Sequence, residues 1–133
     1  MQRLARRLSG STSLLDVGCG TGRLARALHD AGLALRYIGI DSSAPLLALA
    51  SANTADLAPL HVRFLLADIG EEGWEAALAG ERFDAVALLA VLHHIPGWQG
   101  RADLLRTLGA LLDDGGSLVI STWQFLSEPR LRR

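Results

Sequence analysis

Short apolar runs recur along the chain, and most are followed by a stretch whose apolar residues are spaced as on a helix. Apolar runs of this length between polar or glycine-rich segments are typical of buried strands. The run at 83–90 is almost continuously apolar, as expected for a central parallel strand that is covered on both faces. The five predicted strands are residues 13–17, 36–40, 61–66, 83–90 and 117–122.

Helices are predicted between these strands. Leu24, Ala27, Leu28 and Ala31 recur at helical spacing, and Gly32 is typical of a helix end. The other predicted elements are an alanine-rich helix that begins around Ser42, Ser43 and Pro45, a short helix around Trp74, Ala77 and Leu78, a helix with the stripe Leu104, Leu105, Leu108, Leu111 and Leu112, and a turn at 113–116.

The alternation of strands and helices predicts an α/β fold, a doubly wound parallel sheet with helices on both faces. Ligands of such sheets bind at the carboxyl ends of the strands. Asp16, Asp41 and Asp68 stand at the ends of the first three predicted strands, and His93 and His94 follow the fourth. We therefore expect the chemistry of this protein at that edge of the sheet.

Composition narrows the class of protein. The 133 residues predict one domain, and the net charge of −1 gives no general attraction to nucleic acid. Cys19 is the only cysteine, which excludes an intrachain disulfide and favours a reducing compartment. The longest apolar run, 85–92, is far shorter than the ~20 residues of a membrane span, and the basic N-terminus lacks a signal-peptide core. A cytoplasmic protein that does not bind membranes is predicted.

The segment LLDVGCGTG at 14–22 is the most informative motif. A strand ends in Asp16, and glycines follow at Gly18, Gly20 and Gly22, where a backbone without side chains lets a ligand approach closely. Residues 20–25 also fit the dinucleotide-binding pattern G-x-G-x-x-A. Asp16 argues against that alternative, since a carboxylate would face pyrophosphate. It suits a ligand with a cationic end.

Four motifs together resemble those of class I S-adenosylmethionine-dependent methyltransferases. They are LLDVGCGTG, YIGIDSS at 37–43, LLADI at 65–69 and FDAVALLAVLHHI at 83–95. The resemblance covers nearly the whole chain, in the family's order and spacing. It implies a Rossmann-like fold, S-adenosylmethionine as cofactor, and transfer of its methyl group to an acceptor by in-line displacement.

The resemblance also implies cofactor-binding roles for ten residues. They are Asp16 at the methionine ammonium, Gly18, Gly20 and Gly22 against the methionine part, Asp41 at the ribose hydroxyls, Ser42 beside the adenine, Asp68 and Ile69 at the adenine ring, and Leu89 and Ala90 at the methionine end. Structural alternatives stay open: the glycines could form only a tight turn, Asp41 could be a helix N-cap, and Asp68 could be a loop or cap residue.

His93, His94 and Ile95 are acceptor-side candidates, because residues just after the fourth strand often line the acceptor pocket in this family. We expect one histidine to pack in the core and the other to face the pocket. Adjacent histidines lack the spacing of a metal site, so no metal is predicted. No His is paired with Cys19 to make it a nucleophile. No catalytic residue is assigned.

The acceptor is predicted to be a small molecule, with tRNA as the alternative. Residues 83–133 are also similar to tRNA methyltransferases that esterify carboxymethyl groups on wobble uridine. Arg130, Arg132 and Arg133 could contact phosphates, or they could form a solvated tail.

One departure from the family concerns the number of strands. The family sheet normally has seven strands, whereas only five can be placed here, in the order 3-2-1-4-5. The fifth strand would then be an open edge. Three explanations compete: a C-terminally truncated chain, a homodimer that covers this edge, or a single minimal domain, 1–133, closed by its own tail. A non-catalytic binding or scaffold module, and an NAD(P)-dependent oxidoreductase, remain alternative functions.

Overall fold

The computed structural model describes residues 2–122, and its centre is a five-stranded sheet. The strand order is β3-β2-β1-β4-β5, and all four neighbouring pairs are parallel. This confirms the predicted fold class and strand order. The strands are β1 (Ser13–Val17), β2 (Arg36–Asp41), β3 (His61–Leu66), β4 (Phe83–Leu89) and β5 (Leu112–Ser121).

Helices connect the strands where the spacing of apolar residues predicts them, but the last predicted helix ends at Ala110, and Leu112, which was counted in its apolar stripe, belongs to β5. They are α1 (Gln2–Arg7), α2 (Arg23–Asp30), α3 (Ala44–Asn53) and α4 (Trp98–Ala110), with short 3-10 helices at Trp74–Leu78 and Leu92–His94. The sequence analysis does not predict α1, which buries Ala5 and is followed by the buried Leu8. None of the helices within residues 2–122 combines the length and the apolar character that crossing a bilayer requires.

The core is divided by the sheet into two clusters. On one face Leu14 and Tyr37 of the sheet pack with Leu28 of α2. On the other face Ile38 packs with Leu108 of α4. Side chains of neighbouring strand positions point to opposite faces, so two covered faces explain why the central strands are mostly apolar.

The boundaries of α2 and α3 follow from their terminal residues. Gly22 precedes α2 with φ of 81°, and Gly32 follows it with φ of 79°, both in the left-handed region that glycine tolerates. Ser43 caps α3, since its hydroxyl accepts a hydrogen bond from the backbone N–H of Leu46. Pro45 lies in the first turn of α3, where a missing N–H has no cost.

Two predicted boundaries on β4 and β5 are wrong. The segment 113–116 is not a turn before the last strand, because β5 already begins at Leu112, which pairs with Phe83. The next pair is Ala85 with Ser117, so four residues bulge opposite a single residue of β4. The fourth strand ends at Leu89 rather than Ala90, whose φ of 55° is incompatible with a strand.

Candidate functional site

A cleft of about 500 Å³ opens at the carboxyl ends of the strands. It lies where the chain leaves β1, β2, β3 and β4, the expected ligand position in a doubly wound sheet. Nine of the residues predicted from the sequence line it: Gly18, Asp41, Ser42, Asp68, Ile69, Leu89, Ala90, His94 and Ile95. The remaining lining residues, which the sequence analysis does not assign to a site, are Ile40, Ala67, Gly70, Val91 and Pro96.

The glycine loop is held against the end of β2. The backbone N–H groups of Gly18 and Cys19 both donate to the carbonyl oxygen of Ile40, at 2.8 and 2.9 Å. Gly18 has φ of 73°, and a Cβ atom on it would lie 2.5 Å from Cγ2 of Val91. Both the backbone conformation and the space therefore require glycine at the point where the loop meets the cleft.

Gly20 and Gly22 do not line the cleft. Gly20 has φ of 56° and donates its N–H to Asp41. Gly22, which precedes α2, packs against α3, where an added Cβ would lie 3.1 Å from Thr54 Cγ2. In the described structure these two glycines shape the loop, and a direct contact with the cofactor stays a prediction.

Asp41 fastens two loops to the end of β2. One carboxylate oxygen accepts the N–H of Gly20 at 3.0 Å, and the other accepts the N–H of Ser43 at 2.9 Å. The N-cap of α3 is Ser43 and not Asp41, so the alternative assignment of Asp41 as a helix cap is wrong. A carboxylate offers about four lone-pair directions, so both oxygens can accept further hydrogen bonds from a ligand in the cleft.

Asp68 lies on the exposed side of the cleft. Its Oδ1 accepts the N–H of Gly70 at 2.8 Å and so closes a local turn after β3. Asp68 therefore has the local loop role given as its structural alternative, and it also forms part of the cleft wall beside Ile69. The second carboxylate oxygen, Oδ2, takes no part in this turn.

Asp16 lies beneath the glycine loop rather than in the cleft wall. The residue is only 3% exposed, and its Oδ2 accepts a hydrogen bond from the hydroxyl of Tyr37. Burial raises the pKa of Asp16 to about 6, the hydrogen bond from Tyr37 opposes this rise, and the nearby charge of Asp41 adds to it. Burial also raises the pKa of Cys19 to about 12, which makes its thiol a poor nucleophile.

The segment after β4 is strained and leads to the paired histidines. Ala90 has a left-handed φ of 55°, and its N–H donates to the carbonyl and hydroxyl oxygens of Ser121 on β5, both at 3.0 Å. His94 is exposed and lines the cleft, as predicted for one of the two histidines. His93 is half-buried and does not line the cleft, and its ring lies 4.1 Å from that of His94. Neither histidine belongs to a core cluster, so the expectation that one of them packs in the core is wrong.

A larger cavity, of about 980 Å³, adjoins the cleft and was not predicted from the sequence. It lies between residues 69–75 and α4, and we call it the α4 cavity. The two spaces share Ile69, Gly70, Ile95 and Pro96. Residues 123–133, which include the arginines considered for phosphate contact, lie outside the described residues.

The chain is similar in sequence to known methyltransferases. A family model described as a methyltransferase domain matches residues 14–116. An uncharacterized methyltransferase of Mycobacterium tuberculosis is 38% identical over 115 residues, which cover 86% of this chain and 52% of the relative. A ubiquinone biosynthesis O-methyltransferase of Coxiella burnetii is 33% identical over 109 residues, 82% of this chain and 42% of the relative. The chain thus spans about half the length of the curated relatives it matches.

Solved structures share the fold. An amino pentose methyltransferase from Micromonospora echinaspora, bound to S-adenosylmethionine, superposes with a TM-score of 0.73 at 26% identity. The superposition covers 96% of this chain and 51% of that one. The family match extends over most of the chain and includes the glycine loop and the ends of β2, β3 and β4. The chain therefore belongs to the methyltransferase domain family, as the sequence motifs indicate.

Proposed function

We propose that this protein binds S-adenosylmethionine in the cleft at the strand ends and transfers its methyl group to a small-molecule acceptor. The observation that carries the proposal is the convergence of Gly18, Asp41, Asp68 and Leu89, from four separate segments, on one cleft of about 500 Å³. A volume in this range is typical of small-molecule and cofactor sites.

The residues present fit the chemistry of this cofactor. Asp41 offers a fixed carboxylate for the vicinal ribose hydroxyls, since its orientation is set by the N–H groups of Gly20 and Ser43. Asp68 and Ile69 provide an acceptor oxygen and an apolar surface for the adenine. Gly18 leaves backbone in the cleft wall beside Leu89 for the methionine end, and Asp16 lies below for the ammonium group.

When bound, the cofactor supplies a methyl group on a sulfonium centre, which is already activated for transfer. The protein then has to align the acceptor with the methyl group and keep water out. Alignment alone contributes as much as ~7–11 kcal/mol in favourable intramolecular reactions. We assign no general base, and His94 in the cleft wall is an acceptor-side candidate for positioning.

Two observations favour a small acceptor over tRNA. The relative from Coxiella burnetii is named for ubiquinone biosynthesis, and the similar structure from Micromonospora echinaspora is named for an amino pentose. The net charge of −1 also provides no general attraction to a polyanion. The arginines at 130, 132 and 133 are the feature that would support a tRNA acceptor.

Two measurements test the proposal. Calorimetric titration should show binding of S-adenosylhomocysteine and none of NAD(H), and the reverse result would favour the oxidoreductase alternative. Radiolabelled methyl transfer to a small-molecule fraction of a cell extract should then exceed transfer to tRNA. Binding without transfer to any fraction would refute the proposed activity and favour the non-catalytic module.

A further inference from the structure

Tyr37 and Asp16 form a buried pair between β2 and β1. Tyr37 is fully buried, its hydroxyl donates to Asp16 Oδ2, and its ring makes an edge contact with Phe64 at a centroid distance of 6.0 Å. The ring belongs to the core cluster on this face of the sheet, and a phenylalanine ring would pack there in the same way. The hydroxyl group is therefore not needed for packing. Burying a polar group costs free energy unless it is hydrogen-bonded, and the bond to Asp16 meets this requirement for the Tyr37 hydroxyl.

The residue opposite Asp16 on β2 is a glycine, and neighbouring side chains fill the space that its own side chain would take. Gly39 pairs with Asp16 in the sheet, and a Cβ on Gly39 would lie 2.8 Å from both Cys19 Sγ and Phe64 Cδ1. The missing side chain leaves the Cys19 thiol and the Phe64 ring their places beside the pair. The arrangement of Tyr37 and Asp16 therefore depends on the local sequence of β2.

The charges around Asp16 are all negative or neutral. Tyr37 on β2, Cys19 in the glycine loop and Asp41 at the end of β2 are the titratable groups that act on it. Among residues 2–122 no ion pair includes Asp16, so its carboxylate has no cationic partner from the described part of the chain. A cationic ligand group beneath the loop would supply the missing counter-charge.

The two oxygens of Asp16 are not equivalent. Oδ2 is occupied by Tyr37, whereas Oδ1 accepts no hydrogen bond from residues 2–122 and is not among the side-chain atoms sealed from solvent. We propose that Tyr37 is a positioning residue: its hydroxyl holds one carboxylate oxygen of Asp16, so that the other is directed to the ammonium group of the cofactor. This inference rests on the proposed function, because it assigns a residue to the site proposed for S-adenosylmethionine.

The pair also couples cofactor binding to pH. A protonated Asp16 cannot act as counter-ion to an ammonium group. Burial raises the pKa of this carboxyl to about 6; the hydrogen bond from Tyr37 lowers this pKa, and the charge of Asp41 raises it further. Removing the Tyr37 hydroxyl removes the one contact that lowers this pKa. The affinity for a cofactor with an ammonium group should then be weaker, and the pH below which this affinity is lost should be higher.

The test compares two ligands that differ at the amino-acid end. S-Adenosylhomocysteine carries the ammonium group, and 5′-deoxy-5′-methylthioadenosine lacks the whole amino-acid part. In Tyr37→Phe we expect about a tenfold weaker affinity for the first ligand at pH 7, an unchanged affinity for the second, and a higher midpoint pH for the loss of the first. Equal losses for both ligands, or no loss for either, would overturn the inference.

A second measurement does not depend on a variant that folds. Tyr37 is the only tyrosine of the chain, so protein labelled with ¹³Cζ-tyrosine gives one resonance from this ring. We expect that resonance to titrate near pH 6 with Asp16 and to shift with S-adenosylhomocysteine far more than with the methylthio ligand. A resonance that is indifferent to pH and to both ligands refutes the positioning role. If the wild-type protein binds neither ligand, the proposed function itself has failed.

Discussion

Asp41→Ala removes the carboxylate that fastens the glycine loop to the end of β2. The substitution takes the acceptor away from the N–H groups of Gly20 and Ser43, which lie 3.0 and 2.9 Å from it, and from the ribose hydroxyls of the proposed cofactor. Hydrogen bonds to charged groups contribute about 1.5–3 kcal/mol each. We expect the affinity for S-adenosylhomocysteine to fall by about that amount, roughly 10- to 150-fold.

Isothermal titration calorimetry of the wild type and the variant measures this loss. Asp56→Ala is the matched control, because Asp56 is an exposed carboxylate paired with Arg26 and it does not line the cleft. A 2′,3′-dideoxy analogue of the ligand separates the two effects of Asp41. The part of the loss that comes from the ribose should disappear with this analogue, whereas the part that comes from the loop should remain. An unchanged dissociation constant in Asp41→Ala would refute the assignment of Asp41 to the ribose.

Four further substitutions test the local physics by urea denaturation. Gly18→Ala should destabilise the protein by about 2–5 kcal/mol, because a left-handed φ and a clash with Val91 both oppose the new methyl group. Gly20→Ala is the control: its φ is also positive but the space around it is open, so it should destabilise the protein by only about 1–2 kcal/mol. Equal losses of stability in the two variants would contradict the clash with Val91. Asp16→Asn should stabilise the ligand-free protein by as much as ~3 kcal/mol above pH 6, since the folded-state pKa of Asp16 of about 6 exceeds its ordinary value of 3.8. This gain in stability should fade as the pH falls from 6 to below 4, where the wild-type carboxyl is protonated in both states. A loss of stability in the variant at pH 8 would contradict this reasoning. The pKa of Asp84 is lowered, because hydrogen bonds from Thr12 and Ser13 outweigh the effect of burial. The wild type should therefore be more stable than Asp84→Asn at pH 7, and this difference should shrink progressively below pH 4. A constant difference in stability down to pH 2 would be inconsistent with the lowered pKa.

Hydrophobic periodicity was sufficient to predict the fold class and most elements. β1 and β3 have the predicted limits, because each is a short run rich in apolar residues between polar or glycine-rich segments. β5 was predicted to begin five residues too late, since Asp113 and Asp114 look like a turn and the bulge opposite Asp84 depends on pairing with β4. Helix α1 was missed because six residues that bury only Ala5 give little periodic signal.

The part of the candidate site that lies directly after the strands was predictable from the sequence motifs. Asp41, Asp68 and Leu89 line the cleft as expected from their motifs. The partner of Asp16 was not predictable, because a hydrogen bond between β1 and β2 depends on register and not on spacing along the chain. A tyrosine in the buried part of β2, two residues before the glycine that pairs with Asp16, is the signal that could have identified it.

The most direct test of the central claim is a crystal structure with S-adenosylhomocysteine bound. The ribose hydroxyls should lie within hydrogen-bond distance of the Asp41 carboxylate, the adenine should lie beside Asp68 and Ile69, and the amino-acid end should point toward Gly18 above Asp16. A ligand seated in the α4 cavity instead, or a ribose turned away from Asp41, would contradict the proposed site.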